Sequence, residues 1–197
     1  MKIVGISGSP NKKNTQFLLE KALEAAKNAD SKKIETRLIS LREYTINGCI
    51  DCGFCRKEFA CSQQDGFQEL IPVLKDPDIK GIIFGTPVYF GGMSAQLKSL
   101  FDRSLIFRRN NYAFKNIVAG AIAVGNSRNG GQELALQQIH TCCLVQDMII
   151  VGDGQPTGHF GGTGVSGIEG GIENDAFGIS TVVNLGHRVG EIALKIN

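Results

Sequence analysis

Short apolar runs alternate with longer amphipathic ones along this chain. That alternation restricts the fold to parallel α/β, because a strand reaches a parallel neighbour only through a long crossover, usually a helix. Residues 2–6, 34–39, 81–86, 117–124 and 148–151 read as five strands. Helical periodicity marks residues 15–29, 94–107, 131–145 and 175–196. It places Leu97, Leu100, Phe101 and Leu105 on one face of the second helix, and Leu134, Ile139 and Leu144 on one face of the third. A chain of 197 residues can bury a substantial core, so one domain over residues 1–197 is expected, with an excursion.

Two segments break the rhythm. Residues 152–171 contain nine glycines without periodicity, longer than the ~12–15 residues beyond which structureless connections become uncommon. This segment is either a plain surface loop, a cover over a flat ligand, or a contact to another subunit. Residues 47–64, inserted after the second strand, carry Cys49, Cys52, Cys55 and Cys61 in the pattern C-x2-C-x2-C-x5-C. Three cysteines at successive spacings of three can curl around a cubane, each reaching a different iron. Cys61 is near enough to be the fourth ligand, so a self-contained [4Fe-4S] site fits the spacing. Structural zinc is the main rival, although its sites usually pair two separate knuckles. A disulfide framework is the third reading, disfavoured because no signal peptide opens the chain. Metal binding would order this segment in place of a hydrophobic core. Cys142 and Cys143 lie in an apolar helical stretch and read as core.

The charges nearly cancel, at a formal net +2, and basic residues occur only in small spots such as Lys12-Lys13 and Arg108-Arg109. Nucleic acid is not indicated. No apolar run approaches the roughly twenty residues of a membrane span, and a cytoplasmic protein is expected.

Between the first strand and first helix runs Ser7-Gly8-Ser9-Pro10-Asn11-Lys12-Lys13-Asn14-Thr15. Unpaired N–H groups and the positive end of the helix dipole face such a loop, and Ser7, Ser9, Asn14 and Thr15 can add donors, so a phosphate monoester would fit. The plain alternative is a turn capped by Asn14 or Thr15. The fingerprint G-x-G-x-x-G is absent, as is G-x-x-x-x-G-K-[ST], so neither a tightly held NAD nor a nucleoside triphosphate is indicated. After the third strand, Pro87-Val88-Tyr89-Phe90-Gly91 offers aromatic rings beside permissive glycine, and after the fourth comes Ser127-Arg128-Asn129-Gly130. Three such loops at the carboxyl edge of one sheet make a flat, phosphate-bearing cofactor, FMN, the economical ligand.

With these motifs the chain resembles the iron-sulfur flavoprotein family, a branch of the flavodoxin-like NADPH-dependent FMN reductases. The resemblance runs over nearly the whole length and extends to residues 95–104 and 127–133. It implies a doubly wound five-stranded parallel sheet ordered 2-1-3-4-5, with one FMN and one [4Fe-4S] cluster per subunit. It also implies a homodimer or homotetramer in which one subunit's cluster approaches a neighbour's flavin. Cys49, Cys52, Cys55 and Cys61 are assigned to the cluster. Ser7, Ser9, Pro10, Asn14 and Thr15 are assigned to the phosphate, and Pro87, Val88, Tyr89, Phe90, Gly91, Ser127 and Gly130 to the ring and ribityl region. No side chain is assigned a catalytic role. Electrons would pass from a ferredoxin-like donor or NAD(P)H to a small-molecule acceptor. Two alternatives stand beside this: an NAD(P)H-dependent FMN or quinone reductase whose cysteines hold zinc or nothing, and a cysteine-based redox sensor or metal-binding interaction module. Lys98, Asp102 and Arg103 read as surface or interface ion pairs. His140, His159 and His187 read as structural.

Overall fold

The computed structural model describes residues 1–197. Strand β1 (Lys2–Ser7) leads through helix α1 (Asn14–Ala29) to β2 (Glu35–Ser40), and the cysteine segment follows before α2 (Phe67–Leu74). Then come β3 (Ile79–Pro87), α3 (Ala95–Arg103), α4 (Leu105–Arg109), β4 (Val118–Gly125), α5 (Gln132–Val145), β5 (Ile149–Ile150), β6 (Gly162–Val165) and α6 (Ala176–Ile196). The sheet is ordered β2-β1-β3-β4-β5, with every pairing parallel, as expected of the flavodoxin-like arrangement. Ser7 aligns with both Ser40 and Gly85, and Pro87 with Val124, so the carboxyl ends of four strands lie along one edge.

The glycine-rich segment departs from expectation. Residues 162–165 form β6, which pairs parallel with Ile122 to Gly125, while β5 pairs with Val118 and Ala119. Two short strands in series thus occupy the position beside β4. Glycine is required in β6 by close approach: a Cβ on Gly164 would sit 2.6 Å from Leu18 Cδ1, and one on Gly162 2.7 Å from Val182 Cγ2. Low side-chain volume there lets the helices seat on the sheet.

One face of the sheet is covered by α1 and α6, the other by α2, α3, α4 and α5, each with its own buried apolar cluster. Helices α1 and α6 approach through small residues, Ala22 and Ala26 meeting Gly186 and Gly190. The stretch expected as one helix over residues 94–107 is broken at Ser104. Its hydroxyl donates back to the Phe101 carbonyl at 2.7 Å, while Gln146 Nε2 donates to the Ser104 carbonyl at 3.1 Å. Leu105 is consequently only partly buried, and Ile106 and Phe107 carry the core contact of α4. In α5 the expected face is also corrected: Leu134 and Leu144 are exposed, and Ala135, Leu136, Ile139 and Cys143 are buried. Gln132 sets that phase, because its buried amide is committed to the loop after β4. Cys143 is core as expected, and burial pushes its thiol pKa up; Cys142 is partly buried.

Candidate functional site

The loop between β1 and α1 stands at the carboxyl edge of the sheet. Lys13 occupies the cap position of α1 and makes no side-chain capping bond, so neither Asn14 nor Thr15 acts as a cap. The first helical bond runs from the Phe17 N–H to the Lys13 carbonyl at 3.0 Å, and the amides of residues 14–16 precede it. The Ser7 hydroxyl oxygen accepts from the Ser9 N–H at 3.4 Å, and the Ser9 oxygen accepts from the Asn11 N–H at 3.1 Å. Both hydroxyl hydrogens stay available. First-turn amides, two hydroxyl donors and a helix dipole make an anion cradle whose chemistry fits a phosphate monoester.

Ser94 joins this loop to the next. Its hydroxyl donates to the Gly8 carbonyl at 2.6 Å and accepts from the Leu97 N–H at 3.3 Å, capping α3. Gly8 must lack a side chain, since a Cβ there would lie 2.6 Å from Leu97 Cβ. After β3, Tyr89 and Gly92 exchange two 3.0 Å backbone bonds around Phe90 (φ +48°) and Gly91 (φ +74°), the left-handed pair of a tight hairpin turn. That turn lifts Phe90 fully into solvent and leaves Tyr89 about half exposed, at 47%. The loop after β4 packs beside it, with Gly131 near Val88 and Gly91. Gln132 braces this loop by donating to the Ser127 carbonyl at 2.7 Å and accepting from the Gly130 N–H at 2.8 Å. The Gly130 amide is therefore spent within the loop.

A fourth loop joins these three at the same edge. The Ser166 N–H donates to the Gly125 carbonyl at 2.9 Å, and the Gly167 N–H donates to the Asn126 carbonyl at 2.8 Å. This stretch, expected as a surface loop, a cover over a flat ligand or a subunit contact, is tied by these bonds to the loop after β4. His159 also has a partner: its Nδ1 lies 3.2 Å from the buried Asp153 carboxylate.

The cysteine segment is anchored by protein contacts that its sequence did not suggest. Arg103, expected in a surface or interface ion pair, has a side chain only 1% exposed. Its Nη1 donates to Asp65 Oδ2 at 2.8 Å and to the Asn47 carbonyl at 3.0 Å. Its Nη2 donates to Asp65 Oδ1 at 3.1 Å and to Cys61 Sγ at 3.1 Å. Burial opposes both charges, yet the pairing prevails: Arg103 is held above its ordinary pKa and Asp65 below the usual carboxylate range. Phe59 packs edge-on to Phe107 at 5.7 Å, so the segment also shares the core of the sheet. By contrast, Lys98 and Asp102 form the exposed ion pair expected of them, at 2.6 Å.

All four cysteines line one cavity together with Arg103, Arg109, Ile106 and Ser62. No three acidic, histidine or cysteine side chains are arranged to hold a single ion. Arg109 Nη1 donates to Cys55 Sγ at 3.1 Å, and Cys52 Sγ lies 3.0 Å from the Ser62 hydroxyl. The Ser62 hydroxyl and the Phe54 N–H draw the Cys52 thiol below its ordinary pKa. Four thiols lining one cavity, two of them accepting from guanidinium groups, are a donor set suited to thiolate ligation. Of these supporting residues the sequence marks Arg109 as part of a basic pair and Arg103 as an ion-pair candidate, but neither as a partner of the cysteines. Arg103, Asp65 and Ser62 come together through tertiary contacts.

A parallel 2-1-3-4-5 sheet with its loops gathered at the carboxyl edge defines the flavodoxin-like class of folds. The chain belongs to the NADPH-dependent FMN reductase family, whose pattern matches residues 1–162, and within it to the iron-sulfur flavoproteins. It is 48% identical over 197 residues to an iron-sulfur flavoprotein of Methanocaldococcus jannaschii, covering 100% of this chain and 99% of that one. An iron-sulfur flavoprotein of Methanosarcina thermophila is 42% identical over 183 residues, covering 92% and 90%. Among solved structures, a flavodoxin-class, WrbA-like protein from Agrobacterium tumefaciens superposes with a TM-score of 0.69 at 21% identity, over 100% of this chain and 99% of that one. The protein is an FMN-dependent oxidoreductase. None of its helices is long and apolar enough to cross a membrane.

Proposed function

We propose that this protein relays electrons between a one-electron donor of the ferredoxin type and a small-molecule acceptor, using FMN at the carboxyl edge of the sheet and a [4Fe-4S] cluster held by Cys49, Cys52, Cys55 and Cys61. The observation that carries the reading is the cavity lined by all four thiols, with Arg103 and Arg109 each donating to a ligand sulfur at 3.1 Å. The names carried by the archaeal relatives support the same assignment.

FMN supplies one- and two-electron chemistry and a cluster supplies single-electron transfer, while the protein provides binding, orientation and electrostatics. In this chain the amides of residues 14–16 and the hydroxyls of Ser7 and Ser9 would hold the phosphate. The neighbouring Pro10 restricts the loop backbone. Pro87, Val88 and the Tyr89–Gly92 turn would flank the ring on one side, with Ser127 and Gly130 on the other. Arg103 and Arg109 donate hydrogen bonds to the sulfurs of Cys61 and Cys55. Ile50 and Phe54 on the cysteine segment and Phe90 on the flavin loop leave apolar surface exposed, which supports the homodimer or homotetramer the family resemblance implies.

Purification without oxygen, followed by iron, acid-labile sulfide and flavin analysis, tests the proposal. About four iron and four sulfide per FMN are expected for one cubane, and flavin without iron and sulfide would refute the cluster. The family match to NADPH-dependent reductases favours a second reading, direct oxidation of NAD(P)H. Steady-state NADPH oxidation that survives Cys52→Ser would support that one.

A further inference from the structure

Two arginines reach the cysteine cavity on unequal electrostatic terms. Arg103 is neutralised where it stands, its guanidinium meeting both oxygens of Asp65 at 2.8 and 3.1 Å, with the two side chains 1% and 6% exposed. Seen from the cavity, that pair is a buried dipole without net charge. It ties α3 to the segment at Asn47, Cys61 and Asp65 together. Arg109 is different. It donates to Cys55 Sγ at 3.1 Å from a side chain 19% exposed, and its carboxylate partner is Asp51, 3.8 Å away and 81% exposed. Water screens the Asp51 charge far more than it screens the contact between Arg109 and the sulfur. The positive charge of Arg109 is thus largely uncompensated on the side that faces the thiols.

We propose that Arg109 sets the reduction potential of the cluster bound by Cys49, Cys52, Cys55 and Cys61, whereas Arg103, cancelled by Asp65, fixes the shape of the segment and has a smaller effect on potential. This rests on the cluster reading given above. Reduction adds one electron from a one-electron donor, with no bond made or broken. The added negative charge enters the field of Arg109, which lowers the energy of the reduced form and raises the potential. Hydrogen bonds to ligand sulfurs act in the same direction. The Ser62 hydroxyl at Cys52 contributes such a bond without charge. Cys49, Cys52 and Cys55 surround Asp51 in the sequence, so the carboxylate opposes Arg109 locally. Removing either charge should therefore move the potential in opposite directions.

The test is a mediated redox titration of protein purified or reconstituted without oxygen, with the reduced cluster followed by electron paramagnetic resonance and iron and sulfide measured in every sample. Arg109→Gln is expected to favour the oxidised form about tenfold, equivalent to a potential about 59 mV lower for one electron. Arg109→Lys, which keeps the charge, should restore most of that shift. Asp51→Asn should raise the potential, and asparagine tolerates the left-handed backbone at this position (φ +46°). Arg103→Lys should lower cluster content more than it moves the potential of the clusters retained. Arg109→Gln with a full cluster and an unchanged potential would overturn the proposal. So would equal shifts in Arg109→Gln and Arg109→Lys. Should Arg109→Gln fail to hold a cluster, Asp51→Asn decides, because a potential no higher than wild type removes the electrostatic basis. Wild-type protein without iron and sulfide would instead refute the cluster reading itself, an outcome that iron analysis separates from the rest.

Discussion

Replacing Asp65 by asparagine should unfold this protein more readily than its peripheral sequence position suggests. The substitution keeps the shape of the side chain and removes the charge that offsets a guanidinium only 1% exposed. Asp65 now accepts from Arg103 at 2.8 and 3.1 Å, from the Asn47 N–H at 2.9 Å and from the Phe67 N–H at 3.1 Å. The new amide nitrogen would face donors from which it cannot accept. Breaking a buried pair by removing one partner costs about 3–5 kcal/mol. With an m-value of about 2.5 kcal/mol/M, the urea midpoint would fall by ~1.2–2 M. The assay is equilibrium urea denaturation followed by far-ultraviolet circular dichroism on protein freed of iron, so that cluster loss does not enter the difference. A double-mutant cycle with Arg103→Met isolates the pair: removing both partners should cost about 1–3 kcal/mol less than the sum of the single changes. A midpoint within about 0.2 M of wild type for Asp65→Asn, well below the shift expected for a buried pair, would refute the view that this ion pair anchors the segment.

The same pair gives a pH dependence. Although burial alone would raise the Asp65 pKa, its hydrogen bonds hold it below the usual carboxylate range, so its stabilisation is complete above about pH 4 and is lost as pH falls through the lower folded value. The thermal midpoint of Asp65→Asn should change less than that of wild type between about pH 5 and 2. Ser9→Ala removes one free hydroxyl donor from the loop before α1, and FMN affinity measured by flavin fluorescence quenching should fall roughly tenfold or more. Riboflavin, which lacks the phosphate, should bind equally to both proteins, and a parallel loss would place Ser9 elsewhere. Gly186→Ala puts a methyl against the Ala22 carbonyl where α6 crosses α1. Overpacking costs about 1–3 kcal/mol and exceeds the gain of roughly 1 kcal/mol in helix propensity, so a lower thermal midpoint is expected.

The sheet was legible because its determinants are local. Apolar runs of strand length, separated by helical periodicity, require parallel crossovers, and the order β2-β1-β3-β4-β5 accords with the family resemblance carried by the loop motifs. The glycine-rich segment was less legible. Residues 162–165 within it form β6, where glycine reflects the nearness of Leu18 and Val182 and not a lack of structure. Leu134 and Leu144 fit a plausible apolar face of α5, but the buried Gln132 amide rotates that helix onto another stripe.

By itself the sequence determined the alternation of elements, the place of the insertion and the spacing of four cysteines. All of these depend on residues near one another along the chain. Tertiary structure alone decided how those cysteines are supported. Arg103 lies on the same helix as Lys98 and Asp102, yet its charge is buried while the other two form an exposed pair. Its burial arises because α3 lies against a segment whose Asp65 is 38 residues away. Arg109 reaches Cys55 across 54 residues. Burial sets how strongly a charge is screened, and only the assembled fold establishes burial.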